Sequence, residues 1–66
     1  MTPADQIREI RKRTGLSQAA FSKVYEIPKR TVEAWETGER VPPAYFLKML
    51  DLYVQAYPPE KLEDPE

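Results

Sequence analysis

The fold of this chain is decided by the stretch Leu16-Ser17-Gln18-Ala19-Ala20-Phe21-Ser22-Lys23-Val24-Tyr25-Glu26-Ile27-Pro28-Lys29-Arg30-Thr31-Val32-Glu33-Ala34-Trp35-Glu36-Thr37-Gly38-Glu39-Arg40. Within it, Ser17 can cap a helix whose apolar side chains recur at helical spacing. Proline cannot continue a helix interior, so Pro28 ends this helix and opens a second one over residues 28–36, which Gly38 closes. Two short helices separated by only two residues predict a tight corner with the geometry of a helix-turn-helix.

Further helices are predicted on both sides of this segment. Thr2 offers a capping hydroxyl, Pro3 suits the first helical position, and Gly15 suits a helix end. Pro43 again suits a first helical position, and a fourth helix is expected from there to about Ala56. The sequence shows no strand pattern and therefore predicts an all-α fold, a compact four-helix domain over residues 1–57.

Residues 58–66 differ from this domain in composition. They contain three prolines and four acidic residues around a single leucine. Such a segment has too little apolar surface to fold, so we expect a disordered, acidic, Pro-rich tail.

Composition excludes several classes of function. The chain has 66 residues and neither Cys nor His, so it lacks a thiol nucleophile, an imidazole base and the ordinary ligands of zinc. We expect no enzyme, no catalytic residue, no metal and no cofactor. No apolar run approaches the ~20 residues of a membrane span, and the N-terminus lacks a secretory signal pattern, which predicts a cytoplasmic protein.

The charges are unevenly distributed along the chain. The formal net charge is -1 and the isoelectric point is about 5.4. Residues 1–40 carry +2, whereas residues 41–66 carry -3. This asymmetry is compatible with a nucleic-acid-binding face on the first half and equally with an ordinary surface of mixed charge.

Residues 16–40 resemble the helix-turn-helix of the Cro and phage-repressor (XRE-type) family. The features that carry the resemblance are the opening Leu16-Ser17-Gln18, the pair Thr31-Val32, and the exit Trp35-Glu36 with Gly38 and Arg40, followed by prolines. Together with the preceding Ile-Arg-x-Ile-Arg helix, the resemblance covers about residues 5–55. It implies a sequence-specific regulator of transcription, in the role of a repressor, that binds double-stranded DNA in the nucleoid of a bacterium, a phage or a mobile element.

The sequence departs from the family pattern at the corner. The family usually carries glycine where this chain has Glu26, so a non-glycine residue is expected in the left-handed conformation. The family also usually caps the recognition helix with Ser or Thr, where this chain has Pro28.

The first turn of the recognition helix is expected to contact bases in the major groove. Lys and Arg donate to guanine, and Thr can bond a base or touch the thymine methyl group. Glu33 either accepts a hydrogen bond from cytosine N4 or braces a neighbouring arginine that reads a base, and we favour the brace. The expected base contacts are Lys29, Arg30, Thr31, Glu33 and Ala34.

A second set of residues matches family positions at the DNA backbone. Arg40 is the strongest of these candidates, because neutralising phosphate charge supplies affinity. Arg11 matches a residue that in this family often forms a salt bridge with the position of Glu36, so its first role is expected to be structural. The expected backbone contacts are Gln18, Ser17, Thr37, Arg40 and Arg11.

The fourth helix has two apolar sides. The side expected to dock on the other helices consists of Phe46, Leu47, Leu50, Tyr53 and Val54. Trp35, in the third helix, is expected in the core. Tyr45, Met49 and Leu52 form a second stripe, which predicts a homodimer on an inverted repeat. The alternative is one broad core face with Tyr45 and Met49 half exposed.

A protein partner of another kind is the alternative function. In this interpretation the domain is a protein-interaction module, as in antitoxin-like proteins that neutralise a toxin, and DNA binding is secondary. The low isoelectric point and the acidic tail favour it.

Overall fold

Four α-helices make up the part of the chain described by a computed structural model, residues 1–61. In chain order they are α1 (Pro3–Thr14), α2 (Gln18–Tyr25), α3 (Lys29–Thr37) and α4 (Ala44–Ala56). The predicted all-α four-helix fold is therefore confirmed, and residues 1–61 contain no strand.

The helix ends form where local sequence signals place them. The Thr2 hydroxyl accepts a hydrogen bond from the Asp5 N–H at 3.1 Å, and the Asp5 carboxylate accepts one from the Thr2 N–H in return. The Ser17 hydroxyl accepts from the Ala20 N–H at 3.1 Å and caps α2. Gly15 ends α1 with a φ of 76°. Each cap satisfies backbone groups that a helix end otherwise leaves unpaired.

The corner between α2 and α3 has the strained geometry that the sequence predicts. Glu26 adopts φ 56° and ψ 43°, and its N–H donates to the Ser22 carbonyl. Pro28 precedes α3 as its N-cap, so α3 begins at Lys29, one residue later than predicted. No side chain caps this end of α3.

One core joins all four helices. Its buried side chains are Ile7, Ile10, Phe21, Tyr25, Val32, Leu47, Leu50 and Val54. α1 packs against α3 and α4, and α2 packs against α3. Trp35 was expected inside this core but is only partly buried, at its margin, where its ring lies 5.2 Å from that of Phe46.

Tyr25 is a core residue that the sequence analysis missed. Its side chain is buried, its ring lies 4.9 Å from that of Phe21, and its hydroxyl donates to the Tyr57 carbonyl at 2.9 Å. Burial raises the pKa of this phenol. The docking role expected of Tyr53 is met only in part: its ring lies 6.1 Å from that of Tyr25, but the residue is 51% exposed. Tyr25 thus fastens the exit of α4 to the end of α2.

The segment after α4 begins with defined structure. Pro59–Lys61 forms a single turn of 3-10 helix within the stretch expected to be an unfolded tail. The rest of the predicted tail, residues 62–66, lies outside the described residues.

The left-handed residue at the corner leads to a stability prediction. Replacing Glu26 by glycine should raise the free energy of unfolding by about 0.5–1 kcal/mol, because the ~1–2 kcal/mol cost of a left-handed L-residue exceeds the entropy that glycine adds to the unfolded chain. Urea denaturation measures the difference.

Two control substitutions separate backbone strain from charge. Glu26→Ala keeps the Cβ atom and should unfold like the wild type. Gly15→Ala places a Cβ atom in open space, at a φ of 76°, and should cost about 1 kcal/mol. A Glu26→Gly protein less stable than Glu26→Ala would contradict the prediction.

Candidate nucleic-acid interface

The exposed face of α3 is polar and carries both signs of charge. Its exposed residues are Lys29, Arg30, Glu33 and Thr37. On the opposite side, Val32 is 0% exposed and Glu36 is 5% exposed. Helical spacing therefore separates a face that holds α3 in the domain from a face that is open to a ligand.

The two basic residues of the first turn differ in their surroundings. The Lys29 ammonium lies 3.5 Å from the Glu33 carboxylate. Arg30 forms no side-chain hydrogen bond or ion pair within residues 1–61. In this structure the partner of Glu33 is Lys29, not the arginine that the favoured prediction names. Among the described residues at this end of the helix, Arg30 is the one that presents an uncompensated charge.

Ala34 and Thr31 are less accessible than the sequence predicts. Ala34 was expected on the outer side of α3, but it is 7% exposed. The chain beyond α3 folds back, and the Arg40 N–H donates to the Ala34 carbonyl at 3.1 Å. Since a groove can be read only by exposed atoms, the expected base contact of Ala34 is withdrawn. Thr31 is partly buried.

A buried ion pair attaches α3 to α1. The Arg11 guanidinium donates to both carboxylate oxygens of Glu36, from Nε at 2.7 Å and from Nη2 at 3.1 Å. Its Nη1 group donates to the Leu16 carbonyl at 3.0 Å. The predicted pair is confirmed, and together with the bond to Leu16 it engages all three nitrogens of Arg11.

The environment of Glu36 keeps its carboxylate ionised. Burial raises the pKa of this group, but hydrogen bonds from Arg11 and Gln18, with the charges of Arg11 and Arg8, outweigh burial and leave the pKa below its ordinary value of 4.5. The hydrogen bonds that Arg11 donates to Glu36 raise the pKa of Arg11. Both groups are therefore charged at neutral pH.

Gln18 and Arg8 complete this network. The Gln18 amide donates to a Glu36 carboxylate oxygen at 3.0 Å, so one of its two N–H groups is used within the protein. Arg8 donates to the backbone carbonyl of Glu36 and to the Asp5 carboxylate. The sequence analysis missed Arg8, although its spacing of three from both Asp5 and Arg11 was a usable signal.

The remaining backbone candidates lie at helix ends. Thr37 is exposed, and its hydroxyl donates to the Ala34 carbonyl at 3.2 Å. Arg40 is exposed, and its guanidinium has no partner among the described residues. Ser17 uses its hydroxyl to cap α2. Of these three, Arg40 has the group best suited to a phosphate.

The second stripe of α4 lies outside the core. Tyr45, Met49 and Leu52 are 70%, 62% and 60% exposed. An exposed ion pair between Arg13 and Asp51, at 2.5 Å, joins the opposite side of α4 to α1. The sequence analysis missed this pair, because its partners are far apart in the chain.

The described part of the chain contains neither a cluster of metal ligands nor a helix that could span a membrane. Residues 1–61 contain no group of acidic side chains placed to hold a metal ion. None of their helices has the length and apolar content needed to cross a bilayer.

Comparison with protein families gave a match. A family model described as a helix-turn-helix domain covers residues 4–63, which takes in nearly all of α1 and the whole of α2, α3 and α4. Comparisons with curated proteins and with solved structures gave no match.

The low pKa of Glu36 gives the pH dependence of stability a definite sign. A carboxylate whose pKa is lower in the folded state stabilises the fold above its unfolded pKa, and this contribution is lost as the pH falls through the folded value. Glu36→Gln should therefore lower the free energy of unfolding at pH 7 by about 1–3 kcal/mol, since it leaves Arg11 without its partner. The Glu36→Gln substitution should also reduce the loss of stability that acid causes below pH 4.5.

Urea denaturation at pH 7 and pH 3 tests this expectation. Glu39→Gln removes the same charge at an exposed site and serves as the control, with an expected change within ~0.5 kcal/mol. Equal acid sensitivity of the wild type and Glu36→Gln would show that Glu36 does not contribute to the acid response.

Proposed function

The chain belongs to the helix-turn-helix domain family, and from this premise we propose that it is a sequence-specific DNA-binding regulator of transcription. The observation that carries the proposal is the polar face of α3. Lys29, Arg30 and Glu33 project from its first two turns, while the opposite side is fixed by the core and the Glu36 network. A rigid helix with free polar groups on its outer face is suited to reading a groove.

The dimensions of DNA fit this arrangement. A major groove about 12 Å wide admits one α-helix, and its base edges offer acceptors on guanine and donors on cytosine and adenine. The Arg30 guanidinium, which has no partner among residues 1–61, matches guanine O6 and N7. Lys29 and the accessible part of Thr31 add further donors. We therefore propose Lys29, Arg30, Thr31 and Glu33 as the base-contacting set.

Contacts to the DNA backbone come from the ends of the helices in this proposal. Arg40 supplies a free positive charge just beyond α3, and Gln18 retains one unused amide N–H group. Thr37 and Ser17 are exposed at their helix ends, although Ser17 already serves as a cap. Arg11 is assigned a structural role, because Glu36 and Leu16 occupy its donors.

The exposed stripe of α4 supports a homodimer. Tyr45, Met49 and Leu52 form adjacent apolar patches that a second copy of the chain would bury. A two-fold dimer presents two α3 helices to half-sites one turn of DNA apart, about 34 Å, on an inverted repeat. A dimer that occupies such a site within a promoter excludes other proteins from it. Repression therefore requires no further binding surface on the chain. Its place of action is then the nucleoid.

The same stripe favours a second candidate function. A different protein could cover Tyr45, Met49 and Leu52, and the chain would then act as a protein-interaction module of the antitoxin-like kind. The isoelectric point of about 5.4 fits this role better than indiscriminate binding to polyanions. The oligomeric state of the isolated chain distinguishes the two candidates.

Arg30 and Arg40 should affect DNA binding differently. Arg30→Ala should weaken binding to the specific site by about 1–3 kcal/mol and relax the preference at one base pair. Arg40→Ala should weaken specific and random duplexes alike and reduce the slope of log affinity against log salt by about 1. Fluorescence anisotropy with both duplexes at several salt concentrations measures these effects.

Each arginine variant serves as the control for the other. Both residues are exposed, so both variants should keep the fold, which circular dichroism verifies. Equal losses on specific and random DNA for Arg30→Ala would move Arg30 to the set of backbone contacts.

Met49→Glu should disrupt the dimer. It places a charge at the centre of the stripe, so the variant should sediment as a monomer and lose most of its affinity for an inverted repeat while retaining weak binding to a half-site. The matched control is Ala44→Glu, which adds the same charge in the first turn of α4, away from the stripe.

Sedimentation of the wild type decides between the candidates. A wild-type monomer at high micromolar concentration, with Met49→Glu leaving both mass and DNA affinity unchanged, would discard the dimer and favour the protein-interaction module.

A further inference from the structure

Glu33 is the exposed one of the two carboxylates on α3. The other, Glu36, is buried and bonded to Arg11 and Gln18. Glu33 is 48% exposed and lies on the same face as Lys29 and Arg30. A helix that enters a groove lined by phosphates therefore brings a negative charge with it.

The partner of Glu33 in the free protein is easily exchanged. Its carboxylate lies 3.5 Å from the Lys29 ammonium, and both side chains are about half exposed. Exposed ion pairs contribute little to stability, and a lysine four residues before a glutamate is the less favourable order on a helix. On DNA, Lys29 can turn to a phosphate or a guanine and leave Glu33 to find another donor.

The base edges of the major groove differ in what they offer a carboxylate. Guanine and thymine present acceptors, which repel it, whereas cytosine and adenine present an amino group. The adenine amino group lies next to the N7 acceptor, but the cytosine N4 amino group has no acceptor beside it on the same base. An ionised carboxylate is therefore satisfied best by cytosine.

We propose that Glu33 is a specificity-determining residue that selects a cytosine in each half-site and rejects guanine at that position. The inference rests on the proposed function, because it assumes that α3 lies in the major groove. Arg30 precedes Glu33 by three residues, so the two side chains are neighbours on the helix surface. The guanine read by Arg30 and the cytosine read by Glu33 should thus lie within about two base-pair steps.

The rejection of wrong sites is as important as the contact itself. A carboxylate that meets only acceptors in the groove is left desolvated and unpaired, which lowers affinity for sites without the cytosine. Glu33 thereby weakens binding to most sequences and increases the specificity for sites that contain the cytosine.

Selection from random oligonucleotides with three proteins tests this inference. The wild type should enrich a motif with one cytosine favoured over guanine by about tenfold or more. Glu33→Gln should enrich adenine at the same position, because a glutamine amide pairs with adenine N6 and N7. Glu39→Gln, which removes the same charge at an exposed residue beyond α3, should enrich the wild-type motif. Both variants should bind random duplex more tightly than the wild type.

The outcomes separate this inference from the proposed function. If the wild type enriches a motif and Glu33→Gln enriches the same one, Glu33 does not select a base and the inference fails while the function stands. If the wild type enriches no motif, both fail. A change from cytosine to adenine in Glu33→Gln alone supports both, and circular dichroism of all three proteins verifies an unchanged fold.

Discussion

The buried carboxylate of Glu36 is the interaction on which the arrangement of the first three helices depends. A buried charge is costly unless it is paired and hydrogen-bonded. Arg11 of α1 and Gln18 of α2 supply those bonds from two directions, and Arg8 binds the backbone carbonyl of the same residue. All of these bonds form together only when the three helices adopt one arrangement. The network therefore fixes the direction in which α3 points.

Because α3 is held in this way, its buried and exposed sides have different roles. Val32 and Glu36 hold the helix in the domain, so the residues on its other side are free to contact a ligand without weakening the fold. Lys29 and Glu33 pair with each other there, and Arg30 has no partner among the described residues. In the proposed complex, such a face gives modest general attraction to DNA, which suits a chain whose net charge is -1.

The fourth helix closes the core and also carries the exposed apolar stripe of Tyr45, Met49 and Leu52. Leu47 and its apolar neighbours hold the helix in the core, and the exposed Arg13 to Asp51 ion pair adds a contact with α1. Tyr25 holds the end of α4 through the Tyr57 carbonyl. Because one side of α4 is held in this way, the exposed stripe on its other side has a defined orientation relative to α3. The proposed dimer on two half-sites requires such an orientation.

The sequence by itself determined the helices and the caps, because these depend on residues within four positions of one another, such as Thr2 with Asp5. Through resemblance to a family it also yielded the left-handed corner at Glu26 and the Arg11 to Glu36 pair. Tertiary structure alone decided that Ala34 is buried, that Arg8 holds α3 and that Tyr25 joins the core. Helical periodicity assigns a residue to a side of its helix, but what covers that side comes from chain segments whose approach only the folded structure fixes.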